Sequence, residues 1–384
     1  MLFFRKAWIV SVLVASTLGG RGAAQSLPSS GPAELDEQAR RLAKEHLQRL
    51  GSGYVARIDP RRRVVYVSAI DPGNFERVTA MLSLQHDLLR RQLFPAPLAW
   101  NVTVVFPTLN DYRRRTPLAK AAGFYHHPSR TLYSVSLSDV LLHEFTHALH
   151  HNDQHLCRQH HALWVVEGLA TLFQRCKPTP AGLEPQTDWS LGELQETVKA
   201  GKACKLADLM TIDQKTFLAQ AETHYSQVRW VMMYLYRKGK LAEFYAAYKA
   251  TWATDATGRK ALEKVLAADL DHIEADWTKW LLELDPPWKP GYAVKARLGV
   301  RMRPGEDGVE ITGFLRNSAA DKTNLLRPGD VVLAVNGQQT PTPRDLTAAV
   351  QACKPGQIVD IEIIRDGKVT TIKQILGVGG PEKK

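Results

Sequence analysis

This 384-residue chain has no long apolar run, few cysteines and no acidic excess. The apolar run Ala7–Leu18 has 12 residues, too few for a spanning helix of about 20, and no later run is longer. Four cysteines exclude a disulfide-dense miniprotein. Lys and Arg outnumber Asp and Glu by 50 to 39, but the clusters Arg61–Arg63 and Arg113–Arg115 lie at predicted turns without interleaved aromatics. No nucleic-acid partner is therefore expected.

The composition that remains is that of an ordinary globular protein, with 44% apolar and 23% charged residues. Residues 1–24 are typical of a signal peptide, because Arg5 and Lys6 precede the apolar run and small residues follow it. Removing this segment lowers the formal net charge from +11 to +8, since Arg5, Lys6 and Arg21 leave with it. We expect a secreted or periplasmic protein with no integral membrane segment.

The pattern of elements predicts an α+β fold. Helices are predicted at 34–50 and 75–93, strands at 55–58, 64–68, 99–106 and 131–136, and helices again from 139 to 284. The run 285–290 contains three prolines and marks the clearest boundary. The predicted parts are a signal peptide 1–24, an α/β part 25–115, a helical lobe 116–285, a linker 286–290, a mostly β domain 291–378 and a tail 379–384.

The sequence His143-Glu144-Phe145-Thr146-His147 lies within a helical pattern. Residues four apart on a helix share one face, so the imidazoles of His143 and His147 can converge on one metal ion. Glu144 lies about 100° further round the helix, where its carboxylate can reach a water on that ion without binding the ion.

A catalytic zinc takes three protein ligands and keeps one position open. Glu167 lies in an apolar helical stretch, where an isolated carboxylate would be expensive to bury unless it binds a cation. Other candidate ligands lie between the motif and this helix: His150, His151, Asp153, His155, His160 and His161. We expect most of these histidines to be solvated.

With Glu167 in Trp164-Val165-Val166-Glu167-Gly168-Leu169-Ala170, the chain resembles the gluzincin clan of zinc metallopeptidases, and within it the bacterial peptidase-MA-like proteins. The resemblance covers about 75–284 and implies a zincin-like catalytic domain, a small mixed sheet plus a helical lobe. It implies one Zn²⁺ held by His143, His147 and Glu167, with Glu144 as general base.

The same resemblance implies that Tyr225, or else His224, stabilises the oxyanion of a peptide substrate. Two positions depart from the pattern. Val166 stands where aminopeptidases of this type carry Asn, so specificity for a free N-terminus is not implied. Thr171 stands where thermolysin-like enzymes carry Asp, so the partner of His143 is unidentified. We expect the strand 131–136 to be the edge strand that pairs with an extended substrate.

Beyond the linker, the ordered set Arg297–Val300, Gly308–Ile311, Asn317–Ala320, Leu325–Val332 and Val335–Gly337 resembles a bacterial PDZ domain. The resemblance implies that backbone N–H groups of Leu298, Gly299 and Val300 hold a peptide C-terminus. Further groove residues are expected on the same strand and on the following helix: Met302, Leu346 and Val350.

Three alternatives stay open at this point. A disulfide is expected in an exported chain, as Cys157–Cys176 or Cys176–Cys204, with Cys353 in the PDZ-like domain left over. The function expected first is a zinc peptidase acting on peptides or proteins, and the second is an inactive scaffold in which only the PDZ-like domain binds. A zinc hydrolase of non-peptide amides shares the same site.

Overall fold

The computed structural model describes residues 31–115, 121–137, 139–188, 190–286, 296–316, 318–354 and 356–378. The predicted signal peptide, nearly all of the linker and the tail lie outside these ranges. Within them the predicted α+β class is confirmed, with a helix-rich first part and a β-rich C-terminal domain.

The first part is built on a five-stranded sheet with strand order β1-β2-β3-β5-β4. Its strands are β1 (Val55–Asp59), β2 (Val64–Ser68), β3 (Val102–Phe106), β4 (Gly123–His126) and β5 (Thr131–Ser134). Strand β3 pairs parallel with β2 and β5, whereas β1 and β4 each pair antiparallel with their neighbour. The helices of this region are α1 (Pro32–Leu50), α2 (Pro72–Gln92) and α3 (Leu109–Arg115).

Strands β2 and β3 are buried along their whole length because helices cover both faces of the sheet. One face of β2 and β3 joins the main core with α2, and the other face packs on α1. This explains why β2 is an unbroken apolar run rather than an alternating one.

The edge of this sheet differs from the expectation. The predicted edge strand 131–136 is β5, which lies inside the sheet between β3 and β4. Strand β4, which the sequence did not reveal, covers it and is the outer strand. The prediction that residues 131–136 offer a free edge to substrate is therefore wrong.

The helical lobe follows without interruption except for one hairpin. Its elements are α4 (Asp139–Cys157), α5 (Leu163–Phe173), β6 (Cys176–Thr179), β7 (Gly182–Pro185), α6 (Ser190–Lys199), α7 (Leu206–Thr211), α8 (Gln214–Ala219), α9 (Ala221–Arg237), α10 (Leu241–Thr251), α11 (Arg259–Leu266) and α12 (Leu270–Glu283). The hairpin β6–β7 was not predicted, since its prolines hide the alternation of a strand.

The C-terminal domain is a second sheet flanked by two helices. Its elements are β8 (Ala296–Arg297), β9 (Val300–Pro304), β10 (Val309–Phe314), α13 (Ala319–Thr323), β11 (Val331–Val335), β12 (Gln338–Gln339), α14 (Pro343–Gln351), β13 (Ile358–Arg365), β14 (Lys368–Ile375) and β15 (Gly377–Val378). The main strand order is β14-β13-β11-β10-β9, which leaves β9 at an edge beside α14.

The C-terminal domain packs directly on the first part of the chain. Ile364 and Val369 belong to the main core rather than to the core of their own domain. The buried carboxylate of Glu362 accepts a hydrogen bond from the Leu137 amide at 2.9 Å. The guanidinium of Arg175 donates to the Asn336 carbonyl at 2.8 Å and pairs with Asp139 at the start of α4.

Two further sequence-based expectations concern covalent and membrane features. All four cysteines, which lie within the described residues, are free thiols, so the expected disulfide is absent. The thiols of Cys157 and Cys176 each donate to a carbonyl four residues earlier, those of Asp153 and Leu172. In the part of the chain that the structure describes, no helix has the length and apolar character to cross a bilayer.

Candidate metal centre and peptide groove

Helix α4 directs two imidazoles at the same point. The Nε2 atoms of His143 and His147, one turn apart, lie 3.0 Å from each other. Both side chains are buried, at 0% and 3% exposure. The opposite face of the helix is fixed because Leu141, Phe145 and Leu149 lie in the main core.

Helix α5 brings a carboxylate to that point. The Oε2 atom of Glu167 lies 3.4 Å from the Nε2 atom of each histidine, and the side chain is 1% exposed. The neighbouring Gly168 allows α9 to approach, since a Cβ there would lie 2.8 Å from Cγ of Met232. A larger residue at 168 would push α5 and its carboxylate away from α9.

The donor set fits a zinc ion. In the described residues, one group of His, Cys, Asp and Glu side chains brings its ligand atoms within 4.8 Å of one another: His143, His147 and Glu167. Zinc bonds of about 2.0–2.1 Å in a tetrahedron place neighbouring ligand atoms about 3.3 Å apart, close to the separations seen here. The buried Glu167 Oε2 atom has no hydrogen-bond partner, which is costly unless a cation binds it.

The electrostatics of the three groups are mutually supporting. Burial acts against the charged form of Glu167, but His147 and His143 outweigh it and lower the pKa of Glu167 to about 2. Burial likewise acts to lower the pKa of His147, and the attraction of Glu167 and Glu144 raises it overall. The site therefore holds an ionised carboxylate and attracts positive charge.

Glu144 is fully buried at 0% exposure beside the two histidines. Its negative charge reaches His147, where it helps to raise the pKa of that imidazole. Glu144 does not belong to the three-residue group of converging ligand atoms. This placement is compatible with a base that acts next to a metal ion rather than on it.

Of the two oxyanion candidates, Tyr225 is the one beside the histidines. Its ring centroid lies 6.2 Å from that of His143, and Phe217 contacts the tyrosine ring edge-on at 4.9 Å. The alternative, His224, is 4% exposed and its Nδ1 atom bonds the Phe217 carbonyl at 2.8 Å. The structure thus commits His224 to helix α8 and leaves Tyr225 near the centre.

Sequence reasoning missed the partner of His143. The Nδ1 atom of His143 lies 3.1 Å from Oε1 of Gln174, directly after α5. Gln174 follows Glu167 by seven residues, which is two helical turns, so both side chains lie on the same face. That spacing was a usable signal. Thr171, the position considered instead, donates its hydroxyl to the Glu167 carbonyl.

The histidines after the motif differ from the expectation. Helix α4 continues through Cys157, and His150 and His161 are buried at 1% and 8% exposure, joined by a 2.7 Å contact between Nε2 and Nδ1. The prediction that most of the five are solvated is wrong, because only His160 is exposed. The alternative ligand Asp153 instead pairs with Lys249 at 2.9 Å and accepts from Tyr245.

The predicted groove would lie between β9 and α14, which contact each other. Gly299 has a φ of +80°, and a Cβ there would collide with Ser318, so this loop requires glycine. Leu298 is buried, whereas Val300 and Met302 are half-buried on the edge strand.

The helix side of the groove needs a correction. Leu346 and Val350 lie in the core of the domain, at 1% and 4% exposure. Thr347, one residue after Leu346, lines a cavity together with Gln351. An α-helix has 3.6 residues per turn, so Leu346 and Val350 share one face of α14 and Thr347 and Gln351 share the adjacent face.

That cavity, of about 930 Å³, lies between the two domains. One wall carries Gln174 and Tyr225 of the helical lobe, and the opposite wall carries Met302 and Thr347. The cavity is thus lined by two neighbours of His143 on one side and by residues of β9 and α14 on the other, whereas His143, His147 and Glu167 do not line it.

Comparison with known proteins identifies the C-terminal domain. Residues 296–376 match the family described as PDZ domain. Two curated proteins are similar over short stretches. The magnetosome formation protease MamE of Magnetospirillum gryphiswaldense is 33% identical over 85 residues, and a probable periplasmic serine endoprotease DegP-like of Rhizobium meliloti is 31% identical over 101 residues. These stretches are 22% and 23% of this chain but 11% and 20% of the two relatives.

Solved structures show similarity of two kinds. An aminopeptidase N family protein from Idiomarina loihiensis is 11% identical, with a TM-score of 0.35, over 85% of this chain and 67% of that one. The HtrA-type protease AlgW with decapeptide is 22% identical, with a TM-score of 0.22, over 29% of this chain and 35% of that one. Both scores are too low to carry an argument about the first part of the chain.

Proposed function

We propose that this chain, whose residues 296–376 form a PDZ domain, is a zinc-dependent peptidase that acts outside the cytoplasm, secreted or in a periplasm. The observation that carries the proposal is the convergence of two imidazole Nε2 atoms and a buried carboxylate oxygen on one point. Three such ligands with one position left open are the pattern of a catalytic rather than a structural zinc.

The residues that would hold the ion are His143, His147 and Glu167. When bound, zinc supplies Lewis acidity to a water and to the substrate carbonyl. Glu144 takes the proton from the attacking water and delivers it to the leaving amine, as its position beside the ligands allows. The hydroxyl of Tyr225 donates to the oxygen that becomes negative as the carbonyl is attacked. Gln174 holds the ring of His143 in place through Nδ1.

The PDZ domain would bind a peptide C-terminus by adding a strand to β9. The backbone loop Leu298–Val300 supplies the carboxylate-binding N–H groups in this proposal. Substrate and PDZ ligand are thus peptides or proteins.

Metal analysis combined with peptide cleavage tests the proposal. We expect the purified full chain to hold one zinc and to cleave a mixed peptide library. Glu144→Gln should keep its zinc but lose about 10²–10⁴-fold in kcat, because the general base is gone. Glu45→Gln on the exposed face of α1 is the matched control and should match wild type. Equal activity in Glu144→Gln would overturn the mechanism.

A second candidate is an inactive scaffold whose PDZ domain is the working part. It is favoured by one observation, that residues 296–376 match the PDZ domain family. A folded chain that binds peptides but neither retains zinc nor cleaves would establish this candidate in place of the first.

A further inference from the structure

The inter-domain cavity connects two sites that were predicted separately. Gln174 lines it and also bonds His143, while Tyr225 lines it 6.2 Å from the His143 ring by centroid distance. The cavity therefore reaches two residues next to His143, one of which is the proposed oxyanion residue Tyr225. On the other wall, Met302 and Thr347 face the same space from the two sides of the PDZ groove.

The distance between groove and metal centre is fixed by the way the domains pack. Arg175, the residue after Gln174, pairs with Asp139 at 2.7 Å and donates to the Asn336 carbonyl of the PDZ domain at 2.8 Å. Glu362 accepts from the Leu137 amide just before α4. The PDZ domain is thus anchored to both helices that supply the candidate ligands.

Strand β9, which contributes Met302 to the cavity lining, is an edge strand. Strand β9 is the last strand of the path β14-β13-β11-β10-β9, so its outer side can pair with an added peptide strand. A cavity of about 930 Å³ is at the upper end of ligand pockets, roughly 300–1,000 Å³, which suits a short peptide segment.

We infer that one polypeptide engages both sites at once, with its free C-terminus in the PDZ groove and an upstream peptide bond at the metal centre. The substrates are then chains with an accessible C-terminal carboxylate, cut at a set number of residues from that end. The inference rests on the proposed peptidase function and adds where in a substrate the cut falls.

A peptide ladder tests this inference with the full chain loaded with zinc. Peptides share one central sequence and are lengthened residue by residue at either the N-terminus or the C-terminus, and mass spectrometry locates the cut. We expect lengthening at the N-terminus to leave the cleaved bond unchanged. Each residue added at the C-terminus should move the cleaved bond by one residue toward the C-terminus. Amidation of the C-terminus should lower kcat/KM about tenfold, because hydrogen bonds to a charge are lost.

A second readout does not depend on turnover. Fluorescence anisotropy of a labelled peptide with the Glu144→Gln variant measures binding alone. Adding Met302→Lys, which fills the groove, should weaken binding of the free-acid peptide about tenfold or more and bring it to the level of the amide. Lys368→Gln, exposed on β14 at the opposite edge of the sheet, is the matched control and should bind as before.

The outcomes separate the two proposals. Cleavage that is insensitive to amidation and counted from the N-terminus would overturn the inference and leave the peptidase intact. Faster cleavage by Met302→Lys would also overturn it, because the groove would then obstruct the centre. A zinc-loaded chain that cleaves no peptide would overturn the peptidase and the inference with it.

Discussion

Two pairs of buried histidines involve helix α4, and each pair has a different side chain as its neighbour. His143 and His147 face each other at 3.0 Å with the carboxylate of Glu167 at 3.4 Å. His150 meets His161 at 2.7 Å, but the other nitrogen of His161 lies 3.0 Å from Oε1 of Gln159. One pairing has an ionised carboxylate and the other a neutral amide.

The pKa values follow from that difference. Burial lowers the pKa of His161 to about 3 and that of His150 well below its ordinary value. The pKa of His147 is raised, although burial acts on it in the same direction, because Glu167 outweighs burial. Both pairings consist of buried imidazoles, and the ionised carboxylate beside one of them is what favours positive charge there.

The sharpest way to break this contrast is to remove the carboxylate. Glu167→Gln leaves the first pairing with an amide, like the second. Loss of a residue that only supports a ligand lowers metal affinity by about 10–100-fold, so loss of a ligand itself should lower zinc affinity by more than about 100-fold. Competition with a chromogenic chelator measures this affinity. His161→Gln should retain wild-type affinity. Unchanged zinc binding in Glu167→Gln would remove this residue from the ligand set.

The supporting amides provide a smaller and more specific test. Gln174→Ala removes the partner of His143, and we expect a loss of about 10–100-fold in zinc affinity. Gln159→Ala removes the corresponding partner of His161 and should not affect zinc affinity at all. Equal effects of the two substitutions would show that Gln174 acts only through general stability.

A third test does not involve zinc and concerns the pH dependence of stability at the second pairing. The folded pKa of His161 is about 3, below its unfolded value of about 6.5, so the unfolded chain takes up a proton first. Stability is then lost as pH falls from about 6.5 toward 3, by about 1.4 kcal/mol per pH unit for this one group. Lys249 and His160 add to the shift after burial.

Denaturant unfolding of the metal-free chain at several pH values measures this slope. His161→Gln cannot take up the proton, so its slope should be shallower than that of wild type. Identical slopes would mean that His161 is already solvated in the folded chain.

The sequence predicted those parts of the site whose positions depend only on the regular repeat of a helix. The turn spacing of His143 and His147 and the apolar helix around Glu167 were both readable. What the sequence could not provide depends on tertiary contacts. Strand β4 as the sheet edge, the burial of His150 and the free state of Cys176 all depend on which elements pack together, and no local pattern encodes that.

The fold shows the same division. Strand β2 was predicted to the residue, because an apolar run defines it locally. The hairpin β6–β7 was not, since Gln92 of distant α2 supports it by bonding Leu183 through both its amide atoms.

Glu362 has a practical consequence for how this protein can be divided. A chain shortened before the PDZ domain would strip the Leu137 amide of its acceptor and uncover the apolar surface that Ile364 and Val369 now occupy. The two halves should accordingly melt in a single transition. The PDZ domain therefore completes the apolar core of the first part of the chain and is not a separable module.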